Sequence, residues 1–282
     1  MGIILLIGSC LPSIILGWII YRKDYLEKEP KKLLFDLFLS GISAIFLTLL
    51  ISIATEILFS LLFKANSNNL FYTFIYTFLG IALVEEFSKW YFLKKKTWNN
   101  VAFNHIYDAI VYAVFVSLGF ATIENILYVL QEKTLFVLII RALTSVPIHA
   151  FCGVFMGYYY GMSKQASINN NQVLLDKNMK LSIFVPTLLH GFFDFCLLSG
   201  NIYFILIWLI FVITIYIISF KRVKIISKIE QNFINQENIL YCMYCGTKVN
   251  GKYCSNCGVK INDWDVYIIF SKLLYENACV ID

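Results

Sequence analysis

Asn201–Phe220, NIYFILIWLIFVITIYIISF, runs twenty residues without a charge and is followed at once by Lys221 and Arg222. A helix of that length covers ~30 Å at ~1.5 Å per residue, the thickness of a bilayer's hydrocarbon core. The stretch therefore reads as a transmembrane helix. Just before it, Ser199-Gly200-Asn201 leaves room only for a very short hairpin into another apolar run. Working outward in the same way gives seven spans, at about 3–21, 33–63, 70–93, 105–130, 135–161, 181–199 and 201–220. The second is long enough to tilt or to project into water. No internal repeat is visible.

The whole chain agrees with its most apolar segment. Of 282 residues, 59% are hydrophobic and only 15% charged, with a mean hydropathy of +0.72. A soluble domain carries roughly a quarter charged residues, because even a large core leaves a surface to be wetted. The N-terminal run Ile3–Ile20 lacks a basic leading region and a small-x-small cleavage site, so it reads as the first span and not as a signal peptide. The expected fold class is an all-α polytopic membrane protein.

Basic residues alternate from loop to loop in step with that count. Loop one holds Arg22, Lys23, Lys28, Lys31 and Lys32, loop three Lys94, Lys95 and Lys96, and loop five Lys164, Lys177 and Lys180. Lys221, Arg222, Lys224 and Lys228 follow span seven, whereas the even loops hold only Lys64 and Lys133. By the positive-inside rule the N-terminus lies outside and the C-terminal tail in the cytoplasm. The net charge of +5 is thus a topology signal, and no nucleic-acid partner is expected.

Ionisable groups at membrane depth cost ~2.5–3.5 kcal/mol each on insertion scales, so they point to function. Glu85 and Glu86 lie inside span three with Lys89, Glu124 in span four, Arg141 and His149 in span five, and His190 and Asp194 in span six. By rise per residue, Glu85, His149 and His190 fall at one depth and can share a pocket, with Glu124, Arg141 and Asp194 lining its outer side. Glu85 and Lys89 are i,i+4 neighbours and can pair. Glu86 points roughly 100° away from Glu85, which allows the two acids separate roles. His190 and Asp194 are also i,i+4, so the aspartate can accept the imidazole N–H and fix its tautomer. Bland readings stand beside these: Lys89 snorkelling to the surface, Arg141 pairing structurally with Glu124, Asp194 wetted near the surface. Carboxylates and imidazoles of this kind suit hydrolysis, with a buried Glu as general base and His as metal ligand or proton donor. An ion-coupled or metal transporter uses the same residue types, and a non-catalytic membrane receptor is a third reading. Gly153, Gly157 and Gly161 are spaced for close helix packing, and Pro147 should kink span five or free a carbonyl.

Five segments in order resemble the PrsW family of bacterial intramembrane proteases: RKDYLEKEPKKLL (22–34), VEEFSKW (84–90), DAIVYAVFVSLGFATIENILYV (108–129), RALTSVPIHAFCGVFMGYYYG (141–161) and HGFFDF (190–195). The resemblance covers roughly residues 11–200. It implies an endopeptidase in the bacterial cell membrane that cuts a single-pass, membrane-anchored regulator such as an anti-sigma factor in a stress-signalling cascade. It also implies that Glu85 and Glu86 are an essential acid pair, and that His149, His190 and Asp194 belong to later motifs. Glu124 and Asn125 match the family's Glu-Asn motif. On this basis Glu85 is expected to activate water with help from His149, while His190 and Asp194 stabilise the oxyanion. A divalent metal in the site is compatible with the resemblance.

Outside the spans, Cys242-x2-Cys245 and Cys254-x2-Cys257 form two knuckles eight residues apart, with Gly246 and Gly258 following each pair. Four thiolates at this spacing suit a closed, tetrahedral, structural Zn²⁺ site, the metal supplying the folding energy of so small a module. The expected organisation is a transmembrane protease domain (1–221), a polar linker (222–238), a zinc ribbon (239–262) facing an unspecified cytoplasmic partner, and a C-terminal tail (263–282). In that tail, residues 264–275 are too short to span and form an interfacial helix or the outer face of the ribbon.

Overall fold

A computed structural model describes residues 2–24, 28–63, 69–234, 240–241, 248–249 and 253–256. Among them are seven helical segments long and apolar enough to cross a bilayer. The elements are α1 (Gly2–Arg22), α2 (Lys31–Leu62), α3 (Leu70–Ile75), a π-helical segment (Tyr76–Ala82), α4 (Leu83–Thr97), α5 (Ile106–Glu132), α6 (Leu135–Leu143), α7 (Ser145–Ile168), α8 (Gln172–Leu198) and α9 (Ile202–Ile234). The π segment joins α3 and α4 into one span, and α6 and α7 together make another. The architecture is all-α.

α5 is the hub. It is buried along most of its length and packs on α7, α2 and α1. Small residues set how closely its neighbours approach. A Cβ at Gly157 of α7 would lie 2.4 Å from the Ala109 carbonyl oxygen, and one at Gly153 or Gly161 would meet the α5 backbone at 3.0 Å. This is the close contact expected of the 153/157/161 spacing. Sequence reading missed its counterpart on the other flank, where a Cβ at Gly41 or Gly119 would sit 2.0 Å from a carbonyl oxygen of the facing helix.

Several expected boundaries move. α8 begins at Gln172, nine residues before the apolar run, because Asn171 caps its first turn and Ser163 of α7 donates to the Leu175 carbonyl at 3.0 Å. α9 continues as helix to Ile234, through most of the stretch expected as a linker. Pro147 acts as expected on span five, with a break in place of a kink and a freed carbonyl. The chain breaks at Thr144, and Pro147 lies in the first turn of α7, where its missing N–H costs little. The carbonyl it leaves without its i+4 donor, that of Leu143, accepts from the Tyr216 hydroxyl at 2.7 Å.

The basic loops gather at one end of the bundle. Lys164 donates to the Trp98 carbonyl at 2.7 Å and Gln165 to that of Asn104 at 3.2 Å, while Ser227 bonds the Lys23 carbonyl. Loops one, three and five and the end of α9 therefore share a face, as an odd number of spans requires. Three of the proposed zinc ligands, Cys242, Cys245 and Cys257, lie outside the described residues, as does segment 264–275. Near them, Leu240–Tyr241 pairs antiparallel with Lys248–Val249, and Cys254 is buried.

At this same end Glu29 is buried, bonded by the Tyr112 hydroxyl beside Asp108, which caps α5 by accepting from the Asn104 and His105 N–H groups at 3.0 and 2.6 Å. Loss of hydration, reinforced by the negative charges of Asp108 and Asp24, raises the Glu29 carboxyl from 4.5 to about 8. The folded state then holds a proton that the unfolded chain releases above its own lower pKa. Stability is full below about pH 4.5 and falls as pH rises towards 8. Glu29→Gln should flatten this dependence, worth on the order of a few kcal/mol. Thermal midpoints of the detergent-purified protein at pH 5 and 8.5 provide the check: wild type should lose several degrees between them and the variant little.

Candidate functional site

Four helices and the short α6 bring ionisable side chains together inside the bundle. α4 contributes Glu85, Glu86 and Lys89, α5 Glu124, α7 His149, and α8 His190 and Asp194. α6 adds Arg141. All the spans' candidate acids, imidazoles and cations meet in one continuous set of contacts, including the three expected on its outer side.

Lys89 is the centre of that set and does not snorkel. It is fully buried, with Nζ 2.7 Å from Glu86 Oε1, 3.6 Å from Glu85 Oε2 and 2.9 Å from His149 Nδ1. It also lies 4.2 Å above the Phe120 ring. An ammonium so far from water needs such compensation. The expected i,i+4 partner, Glu85, is the longer contact, and the i,i+3 acid is the closer one.

Glu86 also takes His190, whose Nδ1 lies 2.9 Å from Glu86 Oε1. The Nε2 of His190 faces Asp194 Oδ2 at 3.3 Å and Glu85 Oε2 at 3.8 Å. The hydrogen-bond partner that orients His190 is thus Glu86, and Asp194 is a second, looser neighbour. Across from it, His149 packs edge-to-face on His190 with ring centres 4.9 Å apart. Because the ammonium can only donate, His149 Nδ1 accepts, which leaves Nε2–H for Glu124 Oε2 at 2.8 Å. The same Glu124 oxygen lies 3.0 Å from Arg141 Nη2. Arg141 Nε donates to Asn125 Oδ1 at 3.1 Å, and Asn125 Nδ2 to the Ser9 carbonyl of α1 at 3.0 Å.

The two adjacent glutamates converge on the same partners yet differ in environment. The side chain of Glu86 is completely enclosed, whereas those of Glu85, Glu124 and Asp194 are 13–19% exposed. The side of the cluster that carries Glu85 is therefore its open side. Glu85 Oε2 is buried without a hydrogen-bond donor.

Three positioning features went unread in the sequence. The π segment just before α4 adds one residue to a helical turn and so resets, by about 100°, which side chains of α4 face α8. Its Phe78 lies over Gly191, where a Cβ would come within 2.7 Å of the ring. Cys152, one turn beyond His149, donates to the Pro186 carbonyl, one turn before His190, at 3.6 Å. Pro186 in mid-span and the thiol at His149 + 3 were the available signals.

Ligand atoms of Glu85, His149 and His190 all lie within 4.8 Å of one another. One carboxylate and two imidazoles are a common ligand set of catalytic zinc sites that keep an open position. Charge points the same way. Four carboxylates face two fixed cations, Lys89 and Arg141, an excess of negative charge that an imidazolium at His190 or a divalent ion can offset. The donor-free oxygen of Glu85 adds to the fit.

A family model for PrsW family intramembrane metalloproteases matches residues 29–219. The chain is similar to protease PrsW of Bacillus subtilis, at 36% identity over 202 residues, 71% of this chain and 86% of that protein. It is 35% identical to protease PrsW of Oceanobacillus iheyensis over 213 residues, covering 76% and 91% of the two. To protease PrsW of Clostridioides difficile it is 32% identical over 220 residues, covering 77% and 88%. No solved structure matches it.

Proposed function

The chain belongs to the PrsW family of intramembrane metalloproteases, and on that footing we propose that Glu85, His149 and His190, held by Glu86, Lys89, Glu124 and Asp194, form its hydrolytic centre. The substrate in this reading is a single-pass, membrane-anchored regulatory protein of the anti-sigma-factor type. The observation that carries it is the convergence, within 4.8 Å, of one acid and two imidazoles from three different helices.

In this mechanism Glu85 takes a proton from the attacking water on the exposed side of the cluster and passes it to the leaving amine. Glu86 remains ionised between Lys89 and His190 and holds the latter's Nδ1–H, which directs Nε2 towards Glu85. With no ion at Nε2, His190 would stabilise the oxyanion itself, with Asp194 supporting the charge that develops on it. Glu85, His149 and His190 would hold a divalent ion. When bound, the ion polarises the scissile carbonyl. Both His149 nitrogens have partners, Nδ1 with Lys89 and Nε2 with Glu124, so His149 would have to give up one of them to serve as a ligand.

The basic end of the bundle supports a cytoplasmic placement for loops one, three and five and the C-terminal cysteine module, with the N-terminus outside. The module's structural zinc belongs to the same proposal. Comparing membrane proteomes of cells with and without this chain tests the function. A single-pass protein should be shortened by a cut in or beside its span only when the chain is present, and identical proteomes would refute the reading.

A further inference from the structure

α6 is the least embedded element around the site. None of its nine residues is buried, and both its ends are breaks. Lys133, with φ 54°, turns the chain between α5 and α6. At Thr144, φ −127° and ψ −63° separate α6 from α7. Leu135, Phe136, Ile139, Ile140 and Leu143 are exposed on it, so lipid solvates them whether or not α6 is docked. Its apolar seat is on α1, where a Cβ added to Gly8 would come within 2.8 Å of Leu138 Cδ2.

The polar attachment of α6 is Arg141. It stacks over the Tyr128 ring with Cζ 4.0 Å from its centre. Its Nε bonds Asn125, which is fully buried and anchored on the α1 backbone. Its Nη2 meets the same Glu124 oxygen that takes His149 Nε2. One carboxylate oxygen is therefore held jointly by the short, unburied α6 and by an imidazole of the cluster. Withdrawing the guanidinium leaves Glu124 without its fixed cation and His149 without an oriented acceptor, the kind of loss that disturbs a supported histidine.

We propose that Arg141 is a positioning residue that orients His149 through Glu124 only when α6 is docked, making α6 the movable wall that admits a substrate segment. This rests on the assignment of His149 to the hydrolytic centre. Undocking breaks one ion pair, one ring stack and two hydrogen bonds, Arg141 to Asn125 and Tyr216 to the Leu143 carbonyl, and exposes few buried apolar groups, whereas moving α5 or α7 would open the core.

The test uses the full chain in proteoliposomes with the single-pass protein that accumulates uncut in Glu85→Gln cells. Arg141→Ala should lower kcat about 10–100-fold, as losses of such supporting contacts do, with KM within about twofold. Arg141→Lys should recover part of the rate, since an ammonium can meet Glu124 but cannot also hold Asn125. In a second arm, Gly8→Cys and Leu138→Cys are combined with Cys10→Ser and bridged by a reducible bifunctional thiol reagent. Cleavage should stop when α1 and α6 are linked and resume on reduction. Wild-type kcat in Arg141→Ala, an Arg141→Lys variant no better than Ala, or undiminished cleavage by the linked protein would each overturn the proposal. Failure of the underlying assignment looks different: Glu85→Gln itself would then cleave.

Discussion

Glu85→Gln should accumulate at wild-type level and yet lose cleavage of its membrane substrate by about 10²–10⁴-fold, the range supplied by a general base. The amide keeps the shape of the carboxylate. Lys89 keeps its nearer partner, Glu86 at 2.7 Å, and gives up only the 3.6 Å contact, so the fold has little reason to suffer. What disappears is the basic oxygen on the exposed side of the cluster, and with it one anionic ligand for a divalent ion. Quantifying full-length and shortened substrate in membranes from matched strains gives the result. Cleavage near the wild-type rate, with normal protein level, would remove Glu85 from the chemistry.

The neighbouring substitution should fail for a different reason. Glu86→Gln removes the negative charge nearest a fully buried ammonium and leaves the Nδ1–H of His190 on a weaker acceptor. Removing one member of a buried ion pair costs about 3–5 kcal/mol, because the surviving charge stays desolvated. The expected outcome is a lower steady-state level and a thermal midpoint depressed by several degrees in detergent. Adding Lys89→Met should restore most of the stability while leaving the protein inactive, since it removes the stranded cation. A Glu86→Gln variant as stable as wild type would show that Lys89 is compensated by Glu85 alone.

The opposed outcomes expected for adjacent glutamates trace how much of the site could be read before its coordinates. That Glu85, Glu86, Lys89, Glu124, Arg141, His149, His190 and Asp194 matter was visible because each is expensive at membrane depth. Some of their partners were visible too, including Glu124 for Arg141 at 3.0 Å, but the closest ones were not. Helical spacing offered Lys89 to Glu85 and His190 to Asp194, both within one helix. The closer contacts run from Lys89 to Glu86, and across helices from His190 to Glu86 and from His149 to Glu124. Spacing describes one helix at a time, while these pairs depend on how four helices are rotated about their axes, and the π turn before α4 resets one of those rotations.

The chain's seven crossings, their alternating basic ends and the close seam along Gly153, Gly157 and Gly161 were determined by the sequence itself. A bilayer admits little besides apolar helices of sufficient length, and the cost of burying charge marks their ends. The tertiary structure alone decided that Lys89 stays buried instead of snorkelling, that span five is broken outright at Thr144, a turn before Pro147, and that His190 turns to Glu86 and His149 to Glu124. Those outcomes depend on which side chains from distant segments arrive to neutralise a charge or accept a hydrogen, and no local pattern encodes such an arrival.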